Sequence, residues 1–322
     1  MAELRKDYLR NRWVIIVPER AKRPIDFKKS LEPEDGEPEK KCFFCQGNEH
    51  LTPAEIMRIE KNGKWEMRVF PNKYPAVDIK GDSEISQEDS FFAKAHAYGH
   101  HEVIVETPRH GETMADFSEG KIKKALELYI SRIKSLSADP KIKQVAVFKN
   151  EGKEAGASLR HTHTQIIAYN RLAETVDNEE NAAIEYEKKH GKCPYCEIIK
   201  AEKKGPRLIM DTKNAVAFAP YASRFAFEVK IFPKRHVSSI VDFSGGELKD
   251  YAKIMKRIFS RLKTLNAPYN MYLHNATQGK DMHCHVKINP RLLSWGGFEY
   301  ATGCVINTVP PEEAARFYRG LF

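Results

Sequence analysis

The chain contains no apolar run near the roughly 20 residues that a helix needs to cross a bilayer. Its opening residues, "MAELRKDYLRNRW", include no apolar stretch able to serve as a secretion signal. A cytoplasmic protein with no membrane partner is therefore expected. Cysteine is scarce, six residues in 322, so the chain is no disulfide scaffold, and at this length its core needs no staples. Blocks of one charge sign are also missing. The 53 Lys and Arg are interleaved with 44 Asp and Glu, as in "EPEDGEPEKK" and "EYEKKHGK". The net charge of +9 therefore reads as a solvated surface. Aromatic residues do not alternate with basic ones in a stripe, which argues against a nucleic-acid groove. A phosphorylated small molecule remains compatible with the mild basic excess. A mean hydropathy of −0.56 fits an ordinary globular protein.

What is present is ordered. Four of the six cysteines form two pairs of identical spacing, Cys42–Cys45 in "CFFC" and Cys193–Cys196 in "CPYC". In a reducing compartment such pairs read as metal ligands or redox centres. Cys284 and Cys304 stand alone and read as small filler residues. After each pair the same features recur in the same order. Arg109–His110 matches Arg235–His236, Asp116-Phe117-Ser118 matches Asp242-Phe243-Ser244, and His161 and His163 match His283 and His285. This predicts a duplicated unit of about 150 residues. Each copy has an alternating strand ("EVIVET", "EVKIF") and then an amphipathic helix over 119–135 or 245–263, with Leu126, Ile130 and Ile133 on one face. Further strands follow ("QVAVFKN", "HTHTQIIAYN"). The fold class is α+β, with antiparallel sheets and flanking helices. Residues 1–170 and 193–322 would be the two halves, with polar 171–192 as the connector and 28–41 and 80–92 as solvated loops.

A C-x-x-C pair supplies two of the four ligands of a tetrahedral metal site, so two more must come from the same half. The repeat nominates His110 and His161 for Cys42 and Cys45, and His236 and His283 for Cys193 and Cys196. Both would be closed zinc sites with no open position for water. A redox role for the pairs fits poorly, because each has matched histidines and neither sits in a thioredoxin-like strand-to-helix pattern.

His163 remains free. On a strand, His161, His163 and Gln165 share one face. Upstream, "NEGKEAGASLRH" has Gly152 and Gly156, which permit close backbone approach, and Ser158, which adds a hydroxyl; such a turn offers N–H groups to a phosphate. A neutral imidazole is a good nucleophile toward phosphorus. In-line attack on the α-phosphate of a nucleotide sugar would expel a sugar phosphate, which can leave without a dedicated proton donor.

Together "GASLRHTHTQIIA", "CFFC", "PRH" and "RWVIIVPERAKRP" resemble the galactose-1-phosphate uridylyltransferase family, part of the histidine-triad superfamily. The resemblance covers nearly the whole chain. It implies a duplicated histidine-triad-like fold, with His163 as the covalent nucleophile and Gln165 stabilising the nucleotidyl intermediate. It also implies that Asn150 and Ser158, beside Gly156, line the phosphate pocket. Arg20 and Arg23 would lie near the phosphates, and Asn72 near the nucleoside. The implied reaction is ping-pong transfer of UMP from UDP-glucose to galactose 1-phosphate. By the same resemblance the protein would be a homodimer whose partner chain completes the sugar site, where Phe298 belongs.

The second half reads as catalytically silent, because Lys287 replaces the glutamine and the glycine turn is missing. Several positions depart from the better-known members. Thr162 replaces a proline, Lys73 replaces an aspartate near the nucleoside, and "GGFEYATGCVIN" lacks the expected Lys, Tyr and Glu. "HTHTQ" and "GGFE" also resemble the adenylyl-transferring branch, the ADP-glucose phosphorylases, which leaves open adenylyl transfer with an adenine nucleotide, as in phosphorolysis of ADP-glucose or of a dinucleoside polyphosphate. Where the uridylyltransferases use a glutamate and three histidines for iron or zinc, Glu179 and His274 stand here, but Cys193 and Cys196 favour a thiolate zinc site.

Overall fold

Ten strands form one continuous antiparallel sheet in the computed structural model, which describes residues 2–20, 42–81 and 83–321. Five belong to the first half: β3 (Met57–Lys61), β4 (Lys64–Pro71), β7 (Gly99–Val105), β8 (Gln144–Glu151) and β9 (His163–Tyr169). Five belong to the second: β10 (Leu208–Asp211), β11 (Ala215–Phe218), β12 (Val229–Pro233), β13 (Tyr269–His274) and β14 (His285–Pro290). The spatial order is β10-β11-β12-β14-β13-β8-β9-β7-β4-β3, so the two halves repeat one topology and meet at β8 and β13. One row of facing residues crosses the sheet: Phe70, Val103, Gln165, Phe148, Tyr272, Lys287, Lys230 and Phe218. The row is symmetric about the seam, where Phe148 faces its own equivalent, Tyr272. The duplication thus produces one sheet with a local two-fold rather than two separate sheets.

One face of this sheet is the core. Helices α1 (Glu119–Leu136) and α4 (Gly245–Thr264) lie on it and pack against each other. Leu126 and Ile133 are buried in this core, with Ile130 partly so. The repeated Asp-Phe-Ser motif starts each helix. Ser118 and Ser244 accept from the backbone N–H of Lys121 and Glu247, at 3.2 Å each, while the preceding phenylalanines pack inward.

A buried ion pair lies beneath β9. Glu106 and Lys149 are both 0% exposed and 3.1 Å apart, and Tyr129 donates to Glu106 at 2.6 Å. Burial alone would raise the Glu106 carboxyl, but the Lys149 ammonium and the hydroxyls of Thr164 and Tyr129 hold it below the usual range. Lys149→Met would strand that carboxylate without solvent. A loss of about 3–5 kcal/mol is expected in chemical denaturation, largely recovered in Lys149→Met with Glu106→Gln.

The opposite face carries the H-x-H strands, and it differs between halves. In the first half, Cys42, Phe44, Cys45, Trp65, Phe70, Val103 and Val105 form a small cluster there. In the second half it is covered by α2 (Glu174–His190) and α3 (Pro194–Glu202). The segment read as a polar connector is therefore a helix, with Val176, Glu179, Glu180 and Ala183 buried.

The N-terminus also departs from the expected division. Strands β1 (Glu3–Lys6) and β2 (Trp13–Ile16) join β15 (Val305–Asn307) in a three-stranded sheet beside the second half. Arg5 pairs with Glu312 and Arg10 with Glu179, both at 2.9 Å. Within the loop read over 80–92, β5 (Ser86–Gln87) pairs with β6 (Ala93–Lys94), and its surroundings are largely exposed. The 28–41 stretch lies outside the described residues. Two short helices, α5 (Gly297–Thr302) and α6 (Pro311–Arg319), complete the chain. No helix among the described residues is long and apolar enough to cross a membrane.

Candidate active site and metal centres

The nominated cysteines and histidines come together in two groups, Cys42, Cys45, His110 and His161, and Cys193, Cys196, His236 and His283. Among the described residues no cysteine forms a disulfide. In the first group Sγ–Nδ1 separations are 3.6 Å (Cys42–His161), 3.3 Å (Cys45–His110) and 3.5 Å (Cys45–His161). In the second, Cys196 lies 3.6 Å from both His236 and His283. A tetrahedron with metal–sulfur and metal–nitrogen bonds of about 2.3 and 2.0 Å has S···N edges of about 3.6 Å. Both groups therefore fit one tetrahedral metal ion. Further bonds fix the ring orientations, as metal-ligating histidines need. His161 Nε2–H donates to the Thr107 carbonyl at 2.8 Å, and His283 Nε2–H to that of Pro233 at 2.9 Å. His236 Nε2 lies 2.8 Å from Asp281 Oδ1.

His161 sits in the bend just before β9, and His163 is the first residue of the strand. The two are linked by more than spacing. The Nδ1–H of His163 donates to the His161 carbonyl at 2.9 Å, so the lone pair of the neutral ring is on Nε2. That nitrogen has no partner among the described residues. Burial is the main influence holding the His163 pKa below its ordinary value, with the bond to His161 opposing it. Phe44, inside the first C-x-x-C pair, packs edge-on against His163 with ring centroids 5.2 Å apart. One loop thus provides both cysteines of the first group and a wall for the imidazole.

Gln165 is oriented by a residue the sequence did not single out. His101 accepts from the Ala76 N–H through Nδ1 at 3.1 Å, which leaves its Nε2–H to donate to Gln165 Oε1 at 2.8 Å. The amide N–H2 of Gln165 is then the end free to meet a phosphate oxygen. Asn72, half-buried, lies 3.2 Å from the same His101 nitrogen. The only trace of this in sequence is "GHHEVIV", where a histidine interrupts an apolar strand. Loosening Gln165 should impair the reacting complex more than ground-state binding. His101→Ala is expected to lower kcat about 10–100-fold with KM little changed, and His101→Gln, which keeps an N–H donor, to recover much of it.

Asn150 is held from across the seam. Asn270 of β13 donates to Asn150 Oδ1 at 2.9 Å and to the Ala155 carbonyl at 2.7 Å. The second half thereby braces the glycine turn of the first. Gly156 ends this turn at φ +86°, in the left-handed region, and a Cβ on Gly152 would lie 2.8 Å from Pro268. Ser158 is exposed on the loop beyond it. Thr162, where a proline was expected, donates to Glu151 at 2.9 Å. One expected site residue is not brought to His163 within the chain. Phe298, on α5, is 45% exposed beside β15, and no described contact links it to the histidine. Arg23 and the side chain of Arg20 lie outside the described residues.

The second half keeps the same backbone device, with His285 Nδ1–H donating to the His283 carbonyl at 3.1 Å. Its Nε2, however, is buried without a hydrogen bond. Phe232 stacks on the ring at 4.7 Å, with Tyr195 at 5.5 Å. Glu179, His274 and His285 do gather, but His283 has gone to the cysteine group, and Lys287 and Arg10 both bind the Glu179 carboxylate. The glutamate–histidine arrangement is thus split, its carboxylate neutralised by cations.

A family model described as galactose-1-phosphate uridyl transferase, N-terminal domain, matches residues 1–173. The chain belongs to the galactose-1-phosphate uridylyltransferase family. It is 34% identical to an ADP-glucose phosphorylase of Arabidopsis thaliana over 98% of this chain and 92% of that one. It is 31% identical to a galactose-1-phosphate uridylyltransferase of Thermotoga maritima over 99% and 98%. The crystal structure of the Arabidopsis thaliana ADP-glucose phosphorylase with bound ADP-glucose superimposes with a TM-score of 0.82, covering 99% and 98% of the two chains at 31% identity. This family member is a nucleotidyltransferase with the α+β histidine-triad-like fold expected from its sequence.

Proposed function

We propose that the protein transfers a nucleoside monophosphate by a ping-pong mechanism through His163, moving UMP from UDP-glucose to galactose 1-phosphate. The observation that carries this is the His163 ring, whose Nδ1–H is fixed on the His161 carbonyl while its Nε2 is unpartnered. Nε2 attacks the α-phosphorus of the nucleotide sugar, the bond to the bridging oxygen breaks, and hexose 1-phosphate leaves with the electron pair. A phosphate oxygen of the acceptor then attacks the nucleotidyl-histidine, and Nε2 departs with its lone pair restored. The amide N–H2 of Gln165 and the turn at Gly152–Gly156, with Asn150 and Ser158, would stabilise the phosphoryl oxygens as charge develops. Arg20, Arg23 and Asn72 would serve the phosphates and nucleoside, and Phe298 the sugar, in a site completed by a second copy of the chain.

Both Cys2His2 groups would hold zinc, the ion suited to two thiolates and two imidazoles in a closed tetrahedron. When bound, zinc supplies cross-linking and ring orientation. In this reading residues 1–170 form the catalytic half, 171–192 the connection and 193–322 a silent half, in a soluble cytoplasmic enzyme.

A second reading, adenylyl transfer such as phosphorolysis of ADP-glucose, is favoured by the Arabidopsis thaliana relative and by Lys73 and "HTHTQ". In it, inorganic phosphate attacks the adenylyl-histidine and releases ADP. Intact-mass measurement after incubation with each donor alone decides the matter. A uridylyl adduct with UDP-glucose supports the first reading, an adenylyl adduct formed only with ADP-glucose replaces it, and no adduct with either ends both.

A further inference from the structure

Across the seam from His163, on the same sheet face, is a cavity of about 260 Å³ that the reaction above does not use. Five basic side chains line it: Arg10, Arg12, Arg224, Lys230 and Lys287. Lys230 and Lys287 face each other on β12 and β14, both nearly buried, at 6% and 5% exposure. Such a juxtaposition of like charges is costly unless something neutralises it. Lys287 has Glu179. Lys230 makes no hydrogen bond or ion pair among the described residues; the carboxylate whose charge it feels is that of Asp7, which Arg10 and Arg12 share.

The carboxylates nearby are already engaged. Asp7 pairs with Arg12 at 2.7 Å, Glu179 with Lys287 and Arg10, and Glu228 accepts the backbone N–H of Arg224 at 2.7 Å. Five basic groups against three acids leave a positive excess. The same cavity also collects orphaned polar atoms. Two donors, Arg12 Nε and Arg224 Nε, are buried without partners, and both residues line it. Buried polar groups without partners point to an occupant that supplies them.

We infer that this cavity, built on the silent copy of the catalytic strand, is a second anion site that binds a phosphoryl group, either free phosphate or the phosphate of a small metabolite. A phosphate dianion matches the excess of charge and accepts from guanidinium and ammonium donors alike. It is not the catalytic phosphate subsite. Lys287 stands three strand spacings, about 14 Å, from Gln165 along the same row. The duplicated positions explain the divergence: Lys287 replaces Gln165 and Lys230 replaces Val103, changing a neutral transfer site into a cationic one.

The test uses the full-length, metal-loaded protein. Equilibrium dialysis against inorganic phosphate, and separately against glucose 1-phosphate, counts the bound equivalents. Lys230→Met and the near-isosteric Lys230→Gln should each bind one equivalent fewer, or bind it at least about tenfold more weakly, while nucleotidyl adduct formation at His163 is unchanged. Both variants should be at least as heat-stable as the parent, since the like-charge contact with Lys287 is relieved; a lysine with a purely structural role would give the opposite shift. In crystals grown without phosphate and soaked in tungstate, the anion should appear between Lys230, Lys287 and Arg224. Tighter binding of glucose 1-phosphate than of phosphate at this site would assign it to a phosphorylated metabolite, and the reverse to the free anion. Phosphate binding unaltered by both substitutions, or no tungstate in the cavity, would overturn the inference whatever becomes of the His163 chemistry.

Discussion

His163→Ala is expected to form no nucleotidyl adduct with any nucleotide-sugar donor and to lose turnover by on the order of 10⁴-fold or more. The size follows from what the ring does. In the proposed mechanism it is the group whose nitrogen forms the bond to phosphorus, so no neighbour could take over by relaxing into place. His285, the equivalent residue, cannot substitute. It is sealed under Phe232 and Tyr195, and it lies beyond β8 and β13 from the glycine turn. Because His163 is not in either metal group, the alanine variant should keep its metal content and its thermal midpoint close to the parent's. Intact mass, steady-state rates and metal analysis on one preparation check all three. Residual adduct in the variant would show that another side chain is the nucleophile.

Loss of the first metal centre should be nearly as damaging to activity, and more damaging to the fold. His161 acts at two atoms: its Nδ1 faces Cys42 and Cys45, and its carbonyl holds the Nδ1–H of His163. Removing the ion releases the loop that also carries Phe44, and with it both anchors of the nucleophile. Cys45→Ser is expected to drop metal content from about two equivalents per chain to one and to destabilise the protein by more than about 4 kcal/mol. Adduct formation should fall along with it. The second centre gives the contrast. Cys196→Ser should also remove one equivalent and lower the thermal midpoint, yet retain most of the transfer activity, since the proposed mechanism gives His285 no chemical role. Equal losses of activity from the two substitutions would contradict the assignment of a silent half. A chain that binds no metal and cycles between dithiol and disulfide would contradict the metal assignment itself.

Much of this was legible from one-dimensional pattern, because the signals are local or periodic. The two C-x-x-C turns each present a pair of ligands at fixed spacing, and the repeat locates their histidines without any knowledge of distance. Strand alternation put His163 and Gln165 on one face, and the Asp-Phe-Ser motif announces a helix start in both halves. Local pattern misled at residues 171–192, where acidic composition suggested a solvated connector. Glu179 and Glu180 are in fact buried, because Arg10, Lys287 and Lys280 are brought to them from distant parts of the chain.

By itself, then, the sequence determined the duplication, the two groupings of cysteines and histidines and the identity of the histidine left outside them, all of which follow from spacing along the backbone. Only the tertiary structure decided that β8 pairs with β13. That one pairing puts Asn270 under the phosphate turn and aligns Gln165 and Lys287 in a single row. It likewise decided that His101 holds Gln165, and that two lysines face each other beside two unsatisfied guanidinium N–H groups. The physical reason is that strand order and register bring together residues separated by up to hundreds of positions, and no periodicity along the chain records which strands will be neighbours.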